Sequence, residues 1–236
     1  MFEIRLIACA AMLVTASILD LKNREIGDRV WIGFGSLGGL LTAIEFNSNA
    51  IDLIQYAMRV AITAPVAYAI YRTGLFGGAD AKALVAIAVL LPFYDMQFKM
   101  HDLTAFTVLT NATILTFAHI FHNVIRNSID LARGKAMFAG FQESAARKAL
   151  AFLMGFRSDS AKGYLFAMEC SEGGRRRFNF HPASYDEYVA NAKNVWVTPA
   201  IPFIVYMAFG FALMIIFGDL LALVFTNIWI VLGIFA

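Results

Sequence analysis

Cysteine is all but missing from this chain. Cys9 lies within an apolar run and Cys170 within a polar stretch, so neither a disulfide framework nor a clustered thiolate metal site is available. Charge is scarce as well. Only 15% of the 236 residues are charged while 60% are apolar, with 22 phenylalanines, a balance that excludes an ordinary soluble domain and points to an integral membrane protein. The single basic run Arg175 to Arg177 has no larger basic surface around it, so no nucleic-acid partner is expected. His119 and His122 have a metal-compatible spacing but no third ligand nearby, so no metal is expected either. No small-residue cleavage site follows the first apolar run, which therefore reads as a span rather than a removable leader. No internal repeat is visible.

What is present is a series of apolar stretches, at about residues 4–19, 30–44, 53–71, 81–93, 103–121 and 199–217. A straight crossing takes about 20 residues, so the fourth stretch is short. A last run, 220–236, follows Gly218-Asp219 and reads as a seventh crossing or a re-entrant tail. Helices apolar on every side carry no informative periodicity. The expected fold is an all-α polytopic membrane protein with about six transmembrane helices and a small α/β cytoplasmic insertion before the last shared span. The expected divisions are 1–121, 122–197 and 198–236.

The insertion has 11 basic and 7 acidic residues. Within it, residues 141–156 read as an amphipathic helix. GYLFAME (163–169) and RRRFNFH (175–181) flank SEGG as a hairpin. Thr198-Pro199 reads as the cap and first position of the next helix.

Lysine and arginine orient the spans. With the N-terminus outside, 16 of the 19 cations fall inside, and only Arg5, Arg59 and Lys99 remain outside. That parity ends the first span at Asp20 and begins the fourth at Asp80 on the same, cytoplasmic, side. Singly, Asp20 reads equally well as a span flank beside Lys22, and Asp80 as a helix cap. Together, two carboxylates at one depth share a proton and activate water, which is aspartyl-protease chemistry. A proton-coupled transporter or channel is the alternative, but its carboxylates belong near the midplane. Lys82 reads as a headgroup anchor, Asp95, Asp102 and Asp219 as outer helix caps, and Asn111 and Thr113 as packing contacts.

The contexts LDLKNREI (19–26), GGADAK (77–82) and NVWVTPAIPF (194–203), in this order and spacing, resemble the archaeal preflagellin peptidases, relatives of the type IV prepilin peptidases. That resemblance implies a GxGD membrane aspartyl endopeptidase cutting class III signal peptides at the cytoplasmic membrane face. Asp20 and Asp80 match its two catalytic aspartates, supported by Gly77, Gly78 and Ala79. Its partners are the precursor proteins and membrane lipid, and it needs no cofactor. Glu25 or Asp28 is then a candidate to meet the basic residue before the cut, against their reading as an interfacial charged loop with Arg24 and Arg29. The sequence departs from Gly-x-Gly-Asp at Ala79, whose Cβ argues that Asp80 is presented from ordinary backbone, with Gly77 and Gly78 supplying the turn. Asp80 near a helix start suits the resting base, and Asp20 near a helix end suits the proton holder.

Overall fold

The structure, a computed structural model, describes residues 1–74, 76–159, 165–172, 175–180, 194–199 and 202–231. The chain divides into two compact units, one of Met1–Leu115 with Pro202–Ala236, the other of Thr116–Ile201.

The first unit is helical. It holds α1 (Phe2–Asn23), α2 (Asp28–Asn47), α3 (Leu53–Arg72), α4 (Gly78–Leu90), the first part of α5 (Thr104–Ala132), α7 (Phe203–Phe217) and α8 (Leu220–Val231). Three of these, α1, α3 and α5, are long and apolar enough to cross a membrane, and α7 with α8, bent by 48°, makes a fourth if the pair is one span. Among the described residues, length and apolarity alone therefore mark three or four of the six expected spans. At 13 residues α4 is short, about 20 Å at the helical rise and well under the roughly 30 Å of hydrocarbon. Residues 232–236, the end of the expected tail, lie outside the described residues.

Polar side chains anchor an otherwise apolar bundle. Arg5 is buried, donating to Glu45 Oε2 (3.0 Å), Thr42 Oγ1 (2.8 Å) and the carbonyl of Leu90 (2.9 Å), so it ties the start of α1 to the ends of α2 and α4. At the far end of the same pair, Asp20 of α1 lies within electrostatic reach of Asp80 of α4. The two helices therefore run antiparallel. Between these ends, Cys9, Met12, Leu13 and Ala16 of α1 pack in one core with Ala83, Ile87 and Leu90 of α4 and Met207, Phe211 and Met214 of α7. Gly38 lets α2 approach α4 closely, because a Cβ there would stand 2.9 Å from Val89 Cγ1 and 3.0 Å from its carbonyl.

Asn111 is the packing contact expected of it. Its Nδ2 donates to the carbonyl of Gly218 (3.0 Å) and its Oδ1 accepts from the Leu220 amide (3.0 Å), clasping α5 to the α7–α8 bend. Asp219 caps α8 by accepting from the amides of Leu221 (2.9 Å) and Ala222 (3.3 Å). Asp95 and Asp102, expected as helix caps, lie in the non-helical segment between α4 and α5 beside Lys99, at 3.8 and 2.9 Å.

The second unit contains the rest of α5, α6 (Ala145–Met154) and five strands: β1 (Phe156–Ser158), β2 (Leu165–Ala167), β3 (Glu169–Glu172), β4 (Arg175–Phe178) and β5 (Val195–Pro199). α6 is shorter than the expected 141–156, beginning where Ser144 accepts from the Arg147 amide. β5 lies between β1 and β2 in an antiparallel sheet, and β3 pairs antiparallel with β4. The glycines of the expected SEGG turn, 173–174, lie outside the described residues. One expectation is overturned here. Thr198-Pro199 does not open a helix but closes β5, since Val195, Val197 and Thr198 favour a strand and two neighbours are there to pair it; α7 starts at Phe203 after Pro202. Trp196 anchors the core, stacked on Phe138 with centroids 5.3 Å apart and edge-on to Phe178 at 5.7 Å. Arg176 of the basic run turns inward, pairing with buried Glu169 at 2.5 Å and lying over Phe141.

Replacing Arg5 by Ala strands Glu45 in the bundle, a loss of about 3–5 kcal/mol. A marked fall in the thermal unfolding midpoint of the detergent-solubilised protein is expected, with most of it recovered in the double variant Arg5→Met, Glu45→Leu.

Candidate active site

The end of the helical unit opposite Arg5 carries the two expected carboxylates. α1 stops at Arg24, which takes the left-handed conformation (φ 57°) and donates its amide to the Asp20 carbonyl (3.0 Å), so Asp20 occupies the last turn. Asp80 is in the first turn of α4. Its Oδ2 accepts from the Gly77 amide at 2.9 Å, satisfying a donor that a helix start leaves unpaired. Each Cα–Cβ bond leans toward its own helix N-terminus. In an antiparallel pair Asp20 therefore leans back along α1 while Asp80 leans out past the start of α4, and the two half-buried carboxylates come within reach of one another's charge. The Arg24 cation acts on Asp20 as well.

The glycines differ from expectation in one respect. Gly77 is extended (φ −71°, ψ 161°) and Gly78 begins the helix, so neither uses the left-handed region; the positive φ, 73°, belongs to Gly74. The turn is made three residues earlier than expected, and Gly77 and Gly78 leave space instead. A Cβ at Gly77 would stand 3.3 Å from Asp80 Oδ2, and one at Gly78 would stand 3.6 Å from the Tyr71 ring. Ala79 is an ordinary helical residue packed on the apolar core, which explains why its Cβ is accommodated.

Around the carboxylates, Asp28 at the start of α2 pairs with Lys82 of α4 at 2.5 Å. Lys82 thus engages a neighbouring helix, and Asp28 holds a cation from within the chain. Glu25 is exposed in the α1–α2 connection. Sequence reasoning missed the aromatic contact of Phe76 with Phe203, centroids 4.4 Å apart, and the Ser17 hydroxyl donating to the Ile204 carbonyl at 3.4 Å. Both bring the start of α7 to this end. Their signal was position: Phe76 directly precedes the Gly-Gly pair, and Phe203 ends the NVWVTPAIPF segment. Beside the site a groove of about 500 Å³ runs between α2, α3 and α4, walled by Trp31, Tyr68 and Tyr71 and floored by small residues such as Gly35, Ala64 and Ala67. Among the described residues no three His, Cys, Asp or Glu side chains converge as metal ligands.

Two facing carboxyls do not both ionise cheaply, so the pair can hold one proton and accept another. That is a general acid and a general base within one site.

Two sequence families match the chain. The type IV leader peptidase family matches residues 7–121, a stretch that includes Asp20, Gly77 to Asp80 and all of α1 to α4 beyond Leu6, and the archaeal peptidase A24 C-terminus type II matches residues 142–220. The chain is similar to a preflagellin peptidase of Methanococcus maripaludis, 29% identical over 219 residues that cover 88% of this chain and 92% of the relative. It is also similar to a preflagellin peptidase of Methanocaldococcus jannaschii, 24% identical over 241 residues covering 96% and 99%. A third, from Methanococcus voltae, is 26% identical over 227 residues covering 88% and 92%.

The cap at Asp80 separates folding from chemistry. Asp80→Asn keeps an oxygen for the Gly77 amide and is expected to leave the unfolding midpoint nearly unchanged, while Asp80→Leu loses the cap at about 1 kcal/mol. Thermal unfolding of the two purified variants beside wild type checks this.

Proposed function

We propose that the chain is a member of the type IV leader peptidase family, a membrane aspartyl endopeptidase removing class III signal peptides from preflagellin and prepilin-like precursors. The observation that carries this reading is the placement of Asp20 and Asp80, on the facing ends of two antiparallel helices and within reach of each other's charge. The charge census supports an arrangement of six spans with the N-terminus outside and this site at the cytoplasmic face.

In the proposed reaction Asp80 is the base and Asp20 carries the shared proton. The Gly77 amide and the N-terminal end of α4 favour the anion on Asp80, and the C-terminal end of α1 disfavours it on Asp20. Asp80 takes a proton from a water whose oxygen attacks the scissile carbonyl carbon, and Asp20 gives its proton to the carbonyl oxygen. The tetrahedral diol then collapses: the peptide nitrogen takes the proton from Asp80, the C–N bond breaks, and a diol hydroxyl returns its proton to Asp20. The pair titrates as a unit, so these roles describe one microstate. The apolar groove beside α4 suits the hydrophobic segment that follows the cut in such precursors. Glu25, exposed, is the better of the two candidates for the basic residue before it, because Asp28 is paired with Lys82. A proton-coupled transporter gains no support, since both carboxylates lie in terminal turns rather than at mid-helix.

Co-expression with a tagged preflagellin in membranes tests the proposal. Wild type shortens the precursor, and Asp20→Asn and Asp80→Asn each leave it at full length although both variants accumulate as folded protein. Cleavage that persisted in either variant would remove the dyad from the mechanism.

A further inference from the structure

A second cavity, of about 990 Å³, lies in the unit of Thr116–Ile201 and has no part in the proposed peptidase site. It is lined by Arg126 and Arg133 of α5, by Lys135, and by Arg157 of β1, against the carboxylates of Asp130 and Asp159. Lys135 and Asp130 neutralise each other at 2.6 Å. Three arginines then face one remaining carboxylate.

Arg126 and Arg157 are held by contacts of their own. The Arg126 guanidinium lies 3.7 Å from the centroid of the Phe156 ring. Arg157 donates to the carbonyls of Met137 and Asn194, and its Nε is buried without a partner among the described residues. Asn123 and Asn127 also fix α5, donating to the carbonyls of Leu153 (3.1 Å), Phe152 (2.8 Å) and Gly155 (2.7 Å).

The depth of this groove follows from α5 itself. Residues 104–125 of the helix contain no Asp, Glu, Lys or Arg, and at about 1.5 Å per residue that stretch matches the roughly 30 Å hydrocarbon core. Arg126 is the first charge met on leaving it. The groove therefore stands at headgroup depth. An exposed apolar stripe, Phe117, Phe121, Ile125 and Ile129, runs along the same helix at four-residue spacing, and its last two members line the groove. Cations at the head and an apolar track leading from the membrane fit an amphiphile, whereas a free anion has no use for the track.

We propose that this groove binds the phosphate headgroup of an anionic membrane lipid, with Arg126, Arg133 and Arg157 on the phosphate and an acyl chain along Phe121 and Ile125. Binding is followed by native mass spectrometry on the full chain in a neutral detergent, titrated with dioctanoyl phosphatidylglycerol or dioctanoyl phosphatidylcholine, with glycerol phosphate and inorganic phosphate as competitors. Wild type should retain the anionic lipid over the zwitterionic one. Arg126→Gln and Arg133→Gln should each weaken that binding about fivefold, while Arg175→Gln, outside the groove, leaves it unchanged. Arg133 is exposed, so its variant separates a lost phosphate contact from lost packing on Phe156. Equal retention of both lipids, undiminished binding in the Arg133→Gln variant, or displacement by glycerol phosphate or inorganic phosphate at matching concentrations would each overturn the proposal, the last by assigning the groove to a free anion.

Discussion

The helical unit depends on a cation buried where cations are costly. Arg5 stays charged inside an apolar bundle only because Glu45, Thr42 and the carbonyls at the end of α4 surround its guanidinium. The same groups fix geometry. Carbonyls at a helix C-terminus lack partners within the helix, so an arginine that satisfies them sets the depth of α4 beside α1 as well as its direction. With that end clamped, the roughly 15 Å of α4 from Leu90 back to Asp80 delivers Asp80 to the last turns of α1. The separation between the two candidate catalytic groups is thus decided at the other end of the molecule.

At the site end, short-range contacts take over. The Gly77 amide gives Asp80 a hydrogen bond that holds its carboxylate at the start of α4. Asp28 with Lys82 joins α2 to the α1–α4 pair, and Phe76 with Phe203 and Ser17 with Ile204 both join α7 to it. None of these contacts is strong alone, and the exposed Asp28–Lys82 pair adds little stability. Their effect is positional: they keep four helix termini together around two carboxylates that repel one another when both are ionised. The inserted unit is built on different terms. Its strands are short, and what holds them is an aromatic cluster around Trp196, with Glu169 accepting from both the Trp196 amide and Arg176 so that no charge is left buried alone.

Much of this was legible along the chain. Apolar run lengths marked the helices, including the short α4, and the SEGG glycines marked a hairpin there, although of the expected first strand only Glu169 pairs with β4 while residues 165–167 pair with β5. The proximity of Asp20 to Asp80 was legible for a simpler reason: helices that traverse one layer return to the same side at every second crossing. What failed was local. Residues 195–199 carry a helix-start signal in Thr-Pro and a strand signal in Val-Trp-Val, and the strand won because β1 and β2 offered it two edges. Gly77-Gly78 reads as a turn, yet Gly74 had already supplied the positive φ.

Sequence by itself determined the membrane setting, the helical segments and the parity that sends Asp20 and Asp80 to one end, because these depend on residue types and run lengths measured along the chain. Only the tertiary structure decided that Arg5 is buried and clamps α4, that Asp28 is taken by Lys82, that Arg176 turns inward to Glu169, and that Asp80 accepts from the Gly77 amide in an ordinary first helical turn. The Arg5 and Asp28 contacts are pairings between segments distant in sequence, and that of Arg176 crosses the β3–β4 hairpin. Which partner a charged group finds is set by the register of packed helices and strands, and that register exists only once the chain has folded.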